Sequence, residues 1–480
     1  MDELFLDQED HLRYPDTFNY AYDVLDVMAE QFPKKRAMLW KNDKGLRVDL
    51  TFSDFSRLSN QAANVLRQHG IQKGDIIMTS LKTHYEYWYI ALAAHKLGAI
   101  VTPVHHLLKE DEVVYRMKDV KAVICTGEGE TAATVQRAAA HFEGITLFTV
   151  RATRDGFLNF SDEVALASDC FARVPTRVNE LTFRYFTSGT SGEPKAIFHD
   201  HAFTLSHVYS ARFLQDITPD SLHFASGDTA WEIVSGTKFY GQWLCGGALF
   251  VYEWERFSAE KLLSELEREK VSSLMAQPTV YRQMTDVGMD KYDLSAIRTY
   301  CIGGEKLVRD LAETIQAQTG KPLYEAYAQT EAALIACNSR RLGVRDGSVG
   351  KILPKYHVEL LKEDGTFAAP GEQGEIVILP TNGSRPAGLG FYEGEILKFE
   401  QEQIAHTGDI AYKDEDDFLY YLGRADGLIK TKGYRVSPTE IENTLASHPA
   451  VRECMVVGVP DRDLGQRIRA VVCLVDGFEK

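Results

Sequence analysis

The sequence lacks an apolar run long enough to cross a membrane. Its longest, Tyr89 to Val104, is broken by His95 and Lys96, short of the ~18 uninterrupted apolar residues that a spanning helix needs. Cysteine is sparse and never paired as C-x-x-C: the seven, at 125, 170, 245, 301, 337, 454 and 473, are odd in number and scattered. That argues against a disulfide framework or a zinc site and predicts reduced, mostly buried thiols. Positive charge is not in excess, since Lys+Arg 53 against Asp+Glu 69 leaves −16, and duplex nucleic acid or an anionic membrane would be repelled. The start, Met1 to Asp10, is acidic; it has neither the basic opening of a signal peptide nor the Arg-rich character of a transit peptide, so a cytoplasmic protein is expected. Internal repeats and low-complexity tracts are also missing.

What is present is ordinary globular material: 480 residues, 44% hydrophobic and 25% charged, enough for roughly two to four packed units at about 100–200 residues each. Apolar, β-branched runs alternate with helix-length periodic segments, the pattern of βαβ units around a largely parallel sheet. Ser53–His69 reads as an amphipathic helix with Ser53 as N-cap and Gly70 as stop. Next come a strand at Ile76–Leu81, a helix at Glu86–Leu97 ended by Gly98, a strand at Ala99–Val104, a helix at Glu110–Lys118 and a strand at Ala122–Thr126. A second wound layer is predicted from the helix Ala259–Lys270, strands Val271–Met275 and Ile297–Ile302, and the helix Glu305–Thr319 before Gly320. From Val358 the texture changes to short strands with turns at Asp364-Gly365, Pro370-Gly371 and Asn382-Gly383. A boundary is expected near Arg424–Gly427, followed by a hairpin, a helix at Pro438–Ser447 and strands at Glu453–Gly458 and Ile468–Leu474.

Four segments carry chemistry. Thr187-Ser188-Gly189-Thr190-Ser191-Gly192-Glu193-Pro194-Lys195 follows a strand and interleaves hydroxyls with glycines whose N–H groups can turn toward an anion, with a lysine for charge: a phosphate cradle by composition. It is not a Walker A loop, because Pro194 separates glycine from lysine and no hydroxyl follows. By composition alone it is equally a Ser/Gly-rich flexible loop. The second, Tyr324 to Glu331, is a strand running into a loop, with the flat face of Tyr327 and, in Glu331, a hard oxygen ligand for Mg²⁺. In His406-Thr407-Gly408-Asp409 a turn presents a carboxylate to vicinal hydroxyls. The fourth, Gly423 to Val436, is dense in cations and glycines. His199-Asp200-His201 with His207 suggests a metal reading only weakly, since converging ligands and a second shell cannot be shown from sequence, and His105-His106 reads as a cap on an edge strand.

In this order the four segments resemble the adenylate-forming superfamily of acyl-CoA synthetases, adenylation domains and luciferases. Gly303-Gly304-Glu305, Asp228-Thr229-Ala230-Trp231 and Pro438-x-Glu440-Ile441-Glu442 support the match. The likeness spans nearly the whole chain and is closest to the medium-chain acyl-CoA synthetases, which share Phe18 to Asp26 and Gln277 to Arg282 in kind.

The resemblance implies an α/β protein: a large AMP-binding domain, 1–424, of wound α/β layers with a β-rich subdomain at about 350–424, then a partial, apparently truncated α+β C-terminal domain, 425–480, beyond a hinge at Asp426. It implies ATP-dependent activation of a carboxylic acid to acyl-AMP, then thioester formation with coenzyme A, in fatty acid metabolism; the alternatives are an enzyme loading a carrier-protein thiol and a catalytically weak nucleotide-binding paralogue. Thr187, Ser188, Gly189, Thr190, Ser191 and Lys195 would hold the phosphates, Thr330 the α-phosphate and Glu331 the Mg²⁺. Gly304, Glu305 and Tyr327 would flank adenine, Asp409 and Arg424 grip the ribose, and Gly433 to Arg435 approach coenzyme A. Trp231 and Ala328 would border the acyl pocket.

Three departures matter. Gly427 stands where a second Asp is frequent, which would loosen the hinge. The stretch after Asp426 is shorter than the family's small domain, and no position matches the lysine that bridges carboxylate and α-phosphate, so acyl-AMP formation that is slow or absent, with intact ATP binding, is expected of this chain. Ala328 stands where medium-chain members carry glycine and acetate-specific members tryptophan, so the pocket is expected to be open but narrowed, taking short-to-medium straight-chain acids, roughly butyrate to octanoate.

Overall fold

The computed structural model describes all residues except 1–4, 188–193, 305–306, 308, 381–385, 393–403, 432–433, 447, 462–463, 476 and 478–480; the side chains of 309, 434, 435, 439, 440 and 443 also lie outside the description. The chain builds two large, mainly parallel sheets and two small antiparallel ones. In the eight-stranded sheet the parallel strands Ile76–Ser80, Ile100–Pro103, Val120–Thr126, Thr146–Val150, Leu158–Asn159 and Leu181–Thr187 are extended by two antiparallel ones, Lys195–Asp200 and Phe391–Tyr392. The nine-stranded sheet runs parallel through Arg36–Asn42, Ala248–Glu253, Leu222–Ala225, Ser273–Ala276, Thr299–Ile302 and Leu323–Gln329, with antiparallel strands at both edges.

The first small sheet comprises His357–Leu361, Gly374–Leu379, Ala405–Lys413 and Leu419–Arg424. The second comprises Ile429–Thr431, Tyr434–Val436, Val451–Asp461 and Gly465–Leu474, with the helix Pro438–Ala446. This mixed α/β architecture, with wound layers first and a β-rich end, is the expected fold class.

The helix Glu86–Leu97 shows why the two large sheets close on one core. All twelve of its residues are buried, as an all-round apolar helix must be. Two of its polar members are engaged: His95 Nε2 meets Tyr240 Oη at 2.6 Å, and Lys96 Nζ donates to Asp26 at 2.8 Å and to Asn60 at 2.6 Å. Gly98 ends the helix in the left-handed conformation. The helix Phe52–Gln68 differs from expectation at its start. Its N-cap is Thr51, not Ser53, because Thr51 and Asp54 form a reciprocal capping box that satisfies two terminal donors at once. His105 and His106 do not cap an edge strand: they follow Ile100–Pro103, which pairs on both sides inside its sheet.

A buried ionic cluster ties the carboxyl ends of the sheets together. Arg151 holds Glu86 with two bonds, at 2.9 and 3.0 Å, and reaches Glu253 at 3.3 Å, while His84 Nδ1 meets Glu253 at 2.7 Å. The guanidinium also lies 4.6 Å over the Trp40 ring. Removing one partner of a buried set leaves uncompensated charge, at about 3–5 kcal/mol. Arg151→Leu should therefore lower the melting temperature by several degrees in a thermal unfolding scan; an unchanged transition would show that the cluster contributes no net stability.

Candidate active site

The carboxyl ends of parallel strands, where open α/β sheets place their ligands, bring most of the expected residues together. Thr187 ends the strand Leu181–Thr187 and sits opposite Lys195, the first residue of the returning strand. Ser188, Gly189, Thr190 and Ser191, which join them, lie outside the described residues, as do Glu305 and Gly433. Arg435 is placed by its backbone in Tyr434–Val436, and its side chain is not described.

Lys195 is exposed, with Nζ 5.5 Å from the centre of the Tyr392 ring. Tyr392 donates its hydroxyl to the Glu331 carboxylate. The Phe391–Tyr392 strand reaches that position by pairing with Ile197 and Phe198 at the sheet edge. Gly390 makes the approach possible, since a Cβ there would overlap the His199 ring. His199 Nε2 in turn donates to the Thr330 carbonyl oxygen at 2.8 Å, fixing the turn that carries Thr330 and Glu331. Lys195, Tyr392, Glu331, Thr330 and His199 thus form one contiguous group.

A second group surrounds Asp409. Tyr327 Oη donates to its carboxylate at 2.6 Å and Tyr421 Oη at 3.3 Å, Gln329 Nε2 donates as well, and Arg424 Nη1 lies 3.8 Å away. Burial pushes the Asp409 carboxyl above its usual range, while Tyr327, Arg424, Gln329 and Tyr421 oppose that rise. The expected turn at His406–Asp409 is instead an irregular stretch of the strand Ala405–Lys413, where Gly408, at φ +70°, lets the Arg424 guanidinium pass; its Cβ position would be 3.1 Å from Nη2. Asp409 and Arg424 are register partners on adjacent strands. Arg424 also lies 3.6 Å from exposed Asp426.

Beside these groups lies a cavity of about 30 Å³, lined by Gly303, Gly304, Ala326, Ala328, Ile233, Met275 and Leu334 and by the polar residues His207, Ser210, Gln215, Glu232 and Thr237. Gly304 is left-handed at φ +89°. Trp231 lies off this lining with 48% of its surface exposed, and Glu232 and Ile233 take the wall instead.

The metal reading of His199, Asp200, His201 and His207 does not hold. Asp200 caps the helix His201–Ser206 through Phe203 N, and His201 Nδ1 lies 3.3 Å from Thr182 Oγ1. His201 also packs edge-on against His95. These histidines are parts of an aromatic core. Among the described residues the converging His and Asp group is a different one: His105 Nε2 and His106 Nδ1 lie 3.5 and 3.3 Å from Asp228 Oδ2. Sequence reasoning missed Tyr392, Tyr421, Glu232 and the supporting role of His199, none of which sits in a local motif.

Comparison with known proteins points one way. Residues 25–382 match the family model described as AMP-binding enzyme, and residues 440–480 that of the AMP-binding enzyme C-terminal domain. Among curated relatives, the mitochondrial acyl-coenzyme A synthetase ACSM5 of Mus musculus is 33% identical over 97% of this chain and 82% of its own length; ACSM3 of Pongo abelii is 31% identical with the same coverage. The solved acyl-CoA synthetase of Brucella canis superposes with a TM-score of 0.79 at 26% identity, covering 98% of this chain and 87% of its own. The anthranilate CoA ligase AuaEII, at 24% identity, shares the fold with a TM-score of 0.86 over 97% and 89%. With a family model matched over most of its length, this chain belongs to the AMP-binding, adenylate-forming enzymes.

Proposed function

We propose that this enzyme is an AMP-forming acyl-CoA ligase acting on short-to-medium-chain carboxylic acids. The observation that carries the reading is the shared turn: Ala328 faces the cavity, and three residues later Glu331 joins Tyr392 and Lys195. An acid seated in the cavity would present its carboxylate to that group. The carboxylate oxygen attacks the α-phosphorus of ATP, the bond to the β-phosphate oxygen breaks, and pyrophosphate leaves. The coenzyme A thiolate then attacks the acyl carbon and AMP leaves with the electron pair.

Lys195 and the Thr187 hydroxyl supply positive charge and a donor where negative charge grows on the phosphates. Asp409, held by Tyr327, Tyr421 and Gln329, is a carboxylate able to exchange those donors for vicinal ribose hydroxyls. Glu331 with the Thr330 hydroxyl is an all-oxygen donor set that suits Mg²⁺, and the ion held there would neutralise charge on the leaving pyrophosphate. The names of the curated relatives, acyl-coenzyme A synthetases, support the same reaction class.

With the one methyl of Ala328 at the cavity, the expected range is roughly butyrate to octanoate by size. Initial rates of thioester formation across unbranched acids test this. Ala328→Gly should move the preference toward longer acids and Ala328→Trp toward acetate, because one methyl narrows a pocket while an indole closes it. Unchanged chain-length profiles in both variants would contradict the placement of Ala328.

A further inference from the structure

A pocket for a plain alkyl tail should be walled by apolar side chains, and one wall of this cavity is not. His207 is 1% exposed, and among the described residues neither of its ring nitrogens has a hydrogen-bond partner; Thr237 Oγ1, which also lines the cavity, is likewise buried without one among them. Glu232, 9% exposed, lines the cavity beside them with no hydrogen bond or ion pair on its carboxylate among the described residues. A buried polar group left unpaired costs about 1–3 kcal/mol, so His207 and Thr237, which line the cavity, are costly to keep unless something binds there.

Orphan buried nitrogens also occur on His84, His95 and His201 among the described residues, but the polar neighbours of this wall are engaged. Buried His223, a few residues before Glu232, has both nitrogens engaged, by Ser273 Oγ at 3.0 Å and the Thr237 carbonyl at 2.7 Å. Gln215 and Gln242 bond each other and the Gly236 carbonyl. The fold holds His207 against Gly236, where a Cβ would stand 2.9 Å from Nδ1 and 3.4 Å from Ser210 Oγ.

We propose that the acid this enzyme activates carries a hydroxyl group on its acyl chain, bound by Glu232 and His207 in the cavity that Ala328 also lines. The proposal rests on the ligase reading above and sharpens its substrate.

The charge state of the wall selects hydroxyl over an ammonium. Burial pushes the Glu232 carboxyl up to about 8, with Lys355 pulling it down and Glu331 pushing it further up. Burial lowers Lys355 to about 7 against the pull of Glu232. His207 is held well below its ordinary value by burial and by the nearby Lys355 and His199. Near neutral pH the wall therefore presents a protonated carboxyl and a neutral imidazole. The carboxyl donates to the substrate hydroxyl oxygen, and the hydroxyl donates to an imidazole nitrogen. An ammonium would enter such a wall without a counter-charge.

Matched substrates test it. Rates of ATP-dependent thioester formation are compared for butyrate, 3-hydroxybutyrate, 4-hydroxybutyrate, 4-aminobutyrate and succinate, with the unsubstituted chain and with Glu232→Leu, Glu232→Gln and His207→Phe. A hydroxy acid should exceed butyrate by roughly tenfold or more in kcat/KM, since a site built to bond a hydroxyl rejects the analogue lacking it. That ratio should collapse toward one in Glu232→Leu and His207→Phe and largely survive in Glu232→Gln. Preference for butyrate, for the amino acid or for the diacid in the unsubstituted chain would overturn the proposal. So would a ratio that all variants leave unchanged. The matched ratios in the unsubstituted chain decide the question even if a variant fails to fold. Thioester from butyrate with no gain for hydroxy acids defeats this inference alone, whereas no thioester either from any acid or from the corresponding acyl-AMP defeats the ligase reading beneath it.

Discussion

Replacing Glu331 by glutamine should lower ATP-dependent thioester formation by roughly two orders of magnitude or more while leaving the melting temperature unchanged. The carboxylate accepts the Tyr392 hydroxyl, and an amide oxygen of the same shape accepts it equally, so the packing that brings Phe391–Tyr392 onto Ile197 and Phe198 is kept. The negative charge is lost. A hard divalent cation bound through few protein ligands depends on each anionic oxygen, and its charge on a departing pyrophosphate is worth several kcal/mol, at about 1.4 kcal/mol per tenfold in rate. The loss should be partly recovered at high Mg²⁺. Near-normal turnover of Glu331→Gln at ordinary Mg²⁺ would place the metal elsewhere.

Lys195→Ala should reduce kcat by about 10- to 100-fold with a smaller change in the KM for ATP. Lys195 opposes Thr187 across a hairpin and stands over the Tyr392 ring, exposed and on the same side as Glu331. A charge that gains strength as negative charge builds on the phosphates stabilises the transition state more than the bound substrate, and such a loss falls on kcat. Measuring both constants separates the roles. A raised KM with kcat intact would make Lys195 a binding residue only.

Local sequence signals located the helices and strands wherever the signal was complete within a few residues. Glu86–Leu97 followed by Gly98 combines a mainly apolar run with a left-handed stop, and its bounds are those expected. The start of Phe52–Gln68 was misplaced although the T-x-x-D pattern of Thr51 and Asp54 was available, because Ser53 competes as a cap by residue type. Strand order is another matter. That Phe391–Tyr392 adds to a sheet whose neighbouring strand lies at Lys195–Asp200 depends on contacts far apart in the chain, which no periodicity records. The interior position of Ile100–Pro103, which defeated the edge reading of His105-His106, was hidden for the same reason.

The site divides along the same line. Thr187, Lys195, Thr330, Glu331, Asp409 and Arg424 stand in short motifs recognisable through resemblance, although spacing alone would not have brought Tyr327 to Asp409. Glu232 and His207 have no motif. The available signal was a charged residue inside the apolar stretch Trp231-Glu232-Ile233-Val234, and only the cavity gives it meaning.

The account is tested most directly by the products. The chain is incubated with coenzyme A and either ATP plus a short acid or the corresponding acyl-AMP, and nucleotides and thioesters are resolved by chromatography. The account predicts AMP and acyl-CoA in equal amounts from both starting points, more slowly from ATP plus acid than from acyl-AMP, with pyrophosphate released only when ATP is used. ADP with inorganic phosphate, or acyl-AMP left unconverted in the presence of coenzyme A, would contradict it.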